Sequence, residues 1–119
     1  MKNNETIDHP EYYRRNGLEA IDVIERHNLN FNLGSVVKYL WRMGLKYGES
    51  MGKDISKAYW YLDREVKRLC GLTLSRVKKP VDRKTAVNKI ISKLRKVFID
   101  DCDMTEAYEI VVEHLSKAA

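Results

Sequence analysis

Apolar residues recur at the spacing of an α-helix in five separate segments of this chain, and no alternating run of strand length appears between them. The first segment is short and amphipathic, and it ends near His27. Its apolar residues are Leu18, Ile21, Val23 and Ile24. This periodicity predicts an all-α fold, because strands half-buried in a sheet would show a period of two instead.

The second and third segments predict two longer helices. The second follows Asn30 or Asn32, either of which can cap a helix, and it extends to about Tyr47. The third runs from about Lys53 to Cys70, and Gly71 then occupies the position that favours glycine after a helix. The residues expected to face inward are Leu33, Val36, Val37, Leu40 and Met43 in the second helix, and Ile55, Ala58, Tyr59, Leu62, Val66 and Leu69 in the third.

The composition changes after residue 72, where a basic linker leads to a predicted helical hairpin. Asp82 can cap the fourth helix, residues 101–103 interrupt it, and a fifth helix runs from Thr105 to about Ser116. We therefore predict one domain, with a three-helix region over residues 1–71 and the linker and hairpin over 72–119. Self-association is expected, because so short a chain buries a modest fraction of its surface.

The overall composition narrows the class of protein. Among 119 residues, 22 Lys and Arg against 17 Asp and Glu give a net charge of +5, which suits phosphate-bearing partners. The sequence contains no apolar run near 18 residues and no signal-peptide core, which predicts a cytoplasmic protein that does not enter membranes. Cys70 and Cys102 form no pair with zinc spacing, and in that compartment both thiols are expected to be reduced. The sequence also lacks a classical P-loop, so P-loop phosphoryl transfer is not supported.

Three cations of the second helix, Lys38, Arg42 and Lys46, are spaced four residues apart and would share one face. Such a row predicts a phosphate clamp, in which the guanidinium offers a planar fork and the lysines offer point charges. A merely solvated face is the alternative. Tyr39 lies beside the row and could stack on a base or pack in the core.

The third helix places Asp54, Lys57, Tyr61 and Arg64 on a common side. If that side faces Lys38 and its neighbours, the charges would line a groove, and Asp54 could bind Mg²⁺ through its carboxylate. Otherwise, Asp54 and Lys57 form only a local ion pair.

Further candidates precede these helices. Glu19 and Asp22 are three residues apart on the first helix and could hold a divalent ion, or could simply suit the helix dipole. His9 lies in an opening segment before Pro10, where it could close over a ligand or transfer a proton. Tyr13 could contact a base or ribose.

Charge is unevenly distributed over the C-terminal half. Residues 76–96 include nine basic side chains and one acid, whereas residues 100–113 include six acids and no base. This separation favours contacts between subunits or binding of a polyanion such as nucleic acid. A solvated linker and hairpin is the alternative.

The chain resembles a small bacteriophage family that is usually described as phage nucleotide kinases. The resemblance covers about residues 7–70 and lies in Asp8-His9-Pro10-x-x-Tyr13, Gly17-x-Glu19-x-Ile21-Asp22, Phe31-x-Leu33-Gly34, Lys38-Tyr39-x-Trp41-Arg42, Lys46 and Asp54-x-x-Lys57-Ala58-x-x-Tyr61-Leu62. It implies phosphorylation of deoxynucleoside monophosphates without a Walker loop, by an oligomer in the host cytoplasm.

The residues and the resemblance together predict that residues 1–71 form a nucleotide-binding region, and they predict the roles of its site residues. The catalytic candidates are His9, Asp22 and Asp54. The ligand-binding candidates are Tyr13, Glu19, Lys38, Tyr39, Arg42, Lys46, Lys57 and Tyr61. No protein metal site is predicted, and Mg²⁺ is expected only if the protein is an enzyme.

Two other functions fit the same sequence. One is a non-enzymatic phage sponge that sequesters a nucleotide immune signal and so acts against host defence. The other is a nucleic-acid-binding accessory protein that uses residues 76–96. The chain also shares features with helical nucleotide pyrophosphatases, but their Glu-x-x-Glu motif is missing.

Overall fold

Helices account for most of the chain in a computed structural model that describes residues 14–15, 17–43 and 51–117. The elements are β1 (Arg14–Arg15), β2 (Leu18–Glu19), α1 (Ala20–Arg26), α2 (Phe31–Trp41), α3 (Met51–Leu69), α4 (Arg83–Arg95), a π-helical turn (Lys96–Asp101) and α5 (Thr105–Lys117). The predicted all-α class is confirmed. The two-residue strands pair antiparallel as a short hairpin that the sequence pattern did not predict.

The chain divides into two units, residues 1–58 and residues 59–119, and the boundary lies inside α3. In the first unit, Gly17 turns the hairpin with a positive φ of +80°. The Glu19 N–H then donates to the Asp22 carboxylate at 3.0 Å, and the Glu19 side chain accepts from the Asp22 N–H. This reciprocal capping box starts α1.

Helix α2 begins where the sequence predicts. Asn30 is its N-cap, and the side-chain oxygen accepts from the Leu33 N–H at 2.9 Å. The helix ends at Trp41 rather than near Tyr47, because Arg42 leaves helical geometry as the C-cap. Residues 44–50, which include the predicted end of the helix, lie outside the described residues.

The core of the first unit follows the predicted apolar faces of α1 and α2. Its buried side chains are Ala20, Val23, Leu33, Val36, Val37, Leu40, Trp41, Met43 and Ala58. Gly34 lies where the two helices approach closely, since a Cβ added to it would be 3.3 Å from Ile24 Cγ2. Ile21, one of the apolar residues of the first predicted helix, is 52% exposed.

In the second unit, α3 ends in a Schellman motif. Gly71 adopts a φ of +75°, its N–H bonds to the Arg68 carbonyl, and the Leu72 N–H bonds to the Lys67 carbonyl. The sequence predicted the end of the helix here because Gly71 follows it. Residues other than glycine pay a steric cost in the left-handed region.

Helix α4 is capped as predicted by Asp82, whose carboxylate accepts from the Thr85 N–H at 2.9 Å. Hydrogen bonds from the Thr85 side chain and backbone hold the pKa of Asp82 below its usual value. After α4, the π-helical turn ends at Asp101, and Asp103 adopts a φ of +54° before α5 begins. The predicted interruption at residues 101–103 therefore separates the two helices of the hairpin.

The core of the second unit comes from one face of each of its helices. Its buried apolar side chains are Leu62, Val66, Ala86, Ile90, Leu94, Val97, Phe98, Cys102, Ala107, Val111 and Leu115. Among the described helices, none is both long enough and apolar enough to span a membrane.

Candidate functional site

The candidate site lies at the end of α2 and the start of α3, within the first unit. The apolar residues of α2 bury one face, which leaves Lys38 exposed and Tyr39 half-buried at the side. Arg42 follows the helix as its C-cap and donates its backbone N–H to the Lys38 carbonyl at 3.3 Å. The helix thus places two predicted cations one turn apart.

A buried ion pair joins the end of α2 to α3. Arg42 Nε lies 3.2 Å from Asp54 Oδ1, and the side chains are 6% and 0% exposed. Asp54 belongs to the first turn of α3, where a carboxylate also suits the helix dipole. The sequence left open whether the cationic face of α2 meets the Asp54 side of α3, and this pair shows that the two faces meet.

The second oxygen of Asp54 is a buried acceptor. Among the described residues, Asp54 Oδ2 has no hydrogen-bond partner. Buried polar atoms in proteins are nearly always hydrogen-bonded, so this oxygen is an exception that can still accept a hydrogen bond.

Three cations surround the ring of Tyr39. Lys38 Nζ and Lys57 Nζ each lie 5.3 Å from the ring centroid, and Arg42 Cζ lies 5.1 Å from it. Each contact is within the range of a cation–π interaction, which contributes about 0.5–1 kcal/mol at exposed sites. We call these four residues, with Asp54, the Tyr39 cluster.

The charges of the Tyr39 cluster do not balance. Three cations stand against the single carboxylate of Asp54, and both lysines are exposed to solvent. Lys57 lies three residues after Asp54 on α3, so the ion pair that holds Asp54 also positions Lys57. The cluster therefore presents excess positive charge at the surface.

An open apolar pocket lies beside the cluster. It has a volume of about 200 Å³ and is lined by Glu19, Ala20, Ile21, Ile24 and Lys38. Lys38 belongs to both the pocket and the Tyr39 cluster, so an apolar cavity and a group of cations share one residue. Sequence reasoning predicted a charged groove near Lys38, but it did not indicate that the isoleucines of α1 line a cavity.

The remaining predicted site residues lie elsewhere. Asp22 caps α1 through the Glu19 N–H, as described above. Tyr61 belongs to the second unit, where its ring meets Trp60 edge-on at 5.0 Å. The predictions for His9, Tyr13 and Lys46 lie outside the described residues. The described part of the chain contains no group of three or more His, Cys, Asp or Glu side chains able to hold a metal ion.

The sequence did not predict one histidine contact in the second unit. The His114 ring stacks on Tyr59 with centroids 3.9 Å apart, and His114 Nε2 lies 2.8 Å from Asp63 Oδ1. Tyr59 and Asp63 are four residues apart on α3, but nothing in the local sequence indicates their partner 51 residues further on.

Comparison with known proteins finds a family match over the N-terminal part of the chain. Residues 7–63 match a family described as a protein of unknown function, DUF3310. Every member of the Tyr39 cluster lies inside this match, whereas α4 and α5 lie outside it. No curated protein and no solved structure matches the chain.

Proposed function

We propose that the first unit binds a nucleotide, with phosphate at the Tyr39 cluster and the base in the neighbouring apolar pocket. The observation that carries this proposal is that Lys38 and Lys57, from two different helices, converge on one tyrosine ring at 5.3 Å each. An anion placed between them relieves their mutual repulsion.

The apolar pocket indicates which kind of anion the cluster would bind. A free phosphate needs only the cations, whereas a ligand with a planar ring also buries apolar surface against Ile21 and Ile24. Burial of apolar surface contributes about 25 cal/mol per Å². A nucleotide carries both features in one molecule, which is why we favour it over inorganic phosphate.

Arg42 has a positioning role in this proposal. Its guanidinium is buried against Asp54, so it acts on the ligand by fixing the start of α3 and hence Lys57. Its charge at 5.1 Å from the Tyr39 ring also adds to the positive potential of the cluster.

Calorimetric titration with mono-, di-, tri- and cyclic nucleotides tests the binding site. Lys57→Gln removes one charge-assisted contact, worth about 1.5–3 kcal/mol, and should weaken binding roughly ten- to a hundredfold. Lys53→Gln is the matched control, because this exposed lysine lies one turn earlier on α3. If no nucleotide binds, or if both variants bind equally well, the assignment is wrong.

The finer part of the proposal is phosphoryl transfer to a deoxynucleoside monophosphate, and it rests on the phage-family resemblance. Mg²⁺ commonly binds through substrate phosphates and one or two carboxylates. Of the candidate carboxylates, Asp22 accepts from the Glu19 N–H, and Asp54 pairs with Arg42 through Oδ1 while its Oδ2 is buried. The described residues contain no group of three or more side chains able to hold a metal ion, so we assign no protein ligand to Mg²⁺.

Product analysis distinguishes a kinase from a sponge. The protein is incubated with ATP, Mg²⁺ and each deoxynucleoside monophosphate, and the nucleotides are separated afterwards. A diphosphate product that requires Mg²⁺ and is lost in Lys38→Gln with Lys57→Gln supports the kinase. Recovery of intact nucleotide, bound one per site without Mg²⁺, supports sequestration instead.

The resemblance also implies a homo-oligomer in the cytoplasm of a phage-infected cell. Light scattering tests the first part: a mass well above 14.0 kDa at micromolar concentration is expected, and a monomer mass contradicts it.

A further inference from the structure

The strongest electrostatic feature outside the Tyr39 cluster is α4 with the loop before it. Nine basic residues less one acid give residues 76–96 a charge of +8, whereas the whole chain carries +5. The rest of the chain is therefore net negative, and the positive charge of the protein is concentrated in this segment.

The basic side chains of α4 form rows along the face opposite its buried side. Ala86, Ile90 and Leu94 form its buried face. At 100° per residue, the opposite face has a central row of small polar side chains with cations on both sides. The central row consists of Thr85, Asn88 and Ser92. The flanking cations are Lys84 and Arg95 on one side and Lys89 and Lys93 on the other, where Lys96 of the π-helical turn continues the row; all of these residues are exposed.

Acidic groups do little to neutralise this face. The carboxylate of Asp82 caps the helix through Thr85 and interacts electrostatically with Lys84 alone among the cations of this face. Asp100 lies 3.7 Å from Arg95 in an exposed pair. Within the described structure, Lys84, Lys89, Lys93 and Lys96 form no ion pair.

We propose that the exposed face of α4 is a nucleic-acid-binding surface that holds the phosphodiester backbone. The small central side chains let the backbone approach the helix, their hydroxyl and amide groups can donate to phosphate oxygens, and the two cationic rows neutralise it. An anionic membrane is a poorer fit, because α4 exposes no large hydrophobic side chain that could enter lipid.

This inference is independent of the nucleotide site, since it concerns other residues in the other unit. Backbone recognition does not depend on base sequence, so it predicts similar affinity for oligonucleotides of unrelated sequence. It also predicts a steep dependence on salt, because each neutralised phosphate releases counterions.

Fluorescence anisotropy of the full chain with a labelled 20-nucleotide single strand tests the proposal. For four contacts, affinity should fall roughly fiftyfold between 50 and 200 mM salt. Lys89→Gln with Lys93→Gln should reduce the magnitude of the log–log salt slope by about 1.4 and weaken binding about 25-fold at 100 mM salt. Lys89→Arg with Lys93→Arg should retain binding, because arginine keeps the charge.

The control removes two charges elsewhere: Lys53→Gln with Lys67→Gln on α3, both exposed, should leave affinity within twofold. A duplex and an RNA strand identify the preferred form of nucleic acid. The proposal is overturned if no strand binds, if the α4 and α3 variants lose affinity equally, or if only phosphatidylserine vesicles bind. Unchanged nucleotide titration in the α4 variant keeps this test separate from the first site.

Discussion

Removal of the Arg42 guanidinium should destabilise the first unit strongly. Arg42→Met keeps most of the side-chain volume but leaves the fully buried carboxylate of Asp54 without its cation. Breaking a buried ion pair in this way typically costs 3–5 kcal/mol. We expect about 3 kcal/mol, the lower end, because the Nε–Oδ1 distance of 3.2 Å exceeds that of the strongest charge-assisted bonds.

The double variant Arg42→Met with Asp54→Leu separates the charge effect from packing. It removes both charges and also the unsatisfied Oδ2, so it should recover most of the lost stability. A cost that persists in the double variant would mean that packing, rather than an unpaired charge, explains the loss.

Urea unfolding followed by tryptophan fluorescence measures both variants. Trp41 is fully buried in the first unit, whereas Trp60 is 60% exposed in the second, so a Trp60→Phe background reports on Trp41 alone. With a slope of about 2 kcal/mol per M, the expected loss lowers the midpoint by about 1.5 M. A shift below about 0.5 M in Arg42→Met would refute the reasoning.

Three further predictions concern the second unit. Gly71→Ala should lower stability by about 1–2 kcal/mol in urea unfolding, because Gly71 has a φ of +75°. Asp82 has a lowered pKa because Thr85 hydrogen-bonds its carboxylate, so its contribution is present above the pKa of the unfolded chain and is lost as pH falls through the folded value. The difference in thermal midpoint between wild type and Asp82→Ala should therefore narrow below about pH 4. His114→Ala removes the stack on Tyr59, and hydrogen exchange of α5 amides should accelerate several-fold, whereas unchanged exchange would show that this contact does not hold the helix.

Sequence reasoning succeeded where a residue acts on its own neighbours. Asp82 and Asn30 cap the helices that follow them within three residues, and Gly71 ends the preceding helix. These effects depend on local backbone geometry, which spacing along the chain describes well.

Sequence reasoning was weaker where a residue's partner is distant along the chain. It was also weaker where an apolar helix residue could be either buried or exposed. The end of α2 was placed too late, since a periodic pattern cannot show where Arg42 turns toward Asp54. The apolar residues of α1 were grouped together, although Ile21 and Ile24 line an open pocket and Val23 is buried. Hydropathy reports that a side chain is apolar, and only tertiary packing decides which apolar side chains are covered.

The close approach of α1 and α2 gives Gly34 an indirect influence on the pocket. A methyl group at this position would lie 3.3 Å from Ile24 Cγ2, and Ile24 is part of the pocket wall. A larger residue there would displace Ile24 and so move one wall of the cavity. Position 34 can therefore alter the shape of the cavity while every lining residue stays unchanged.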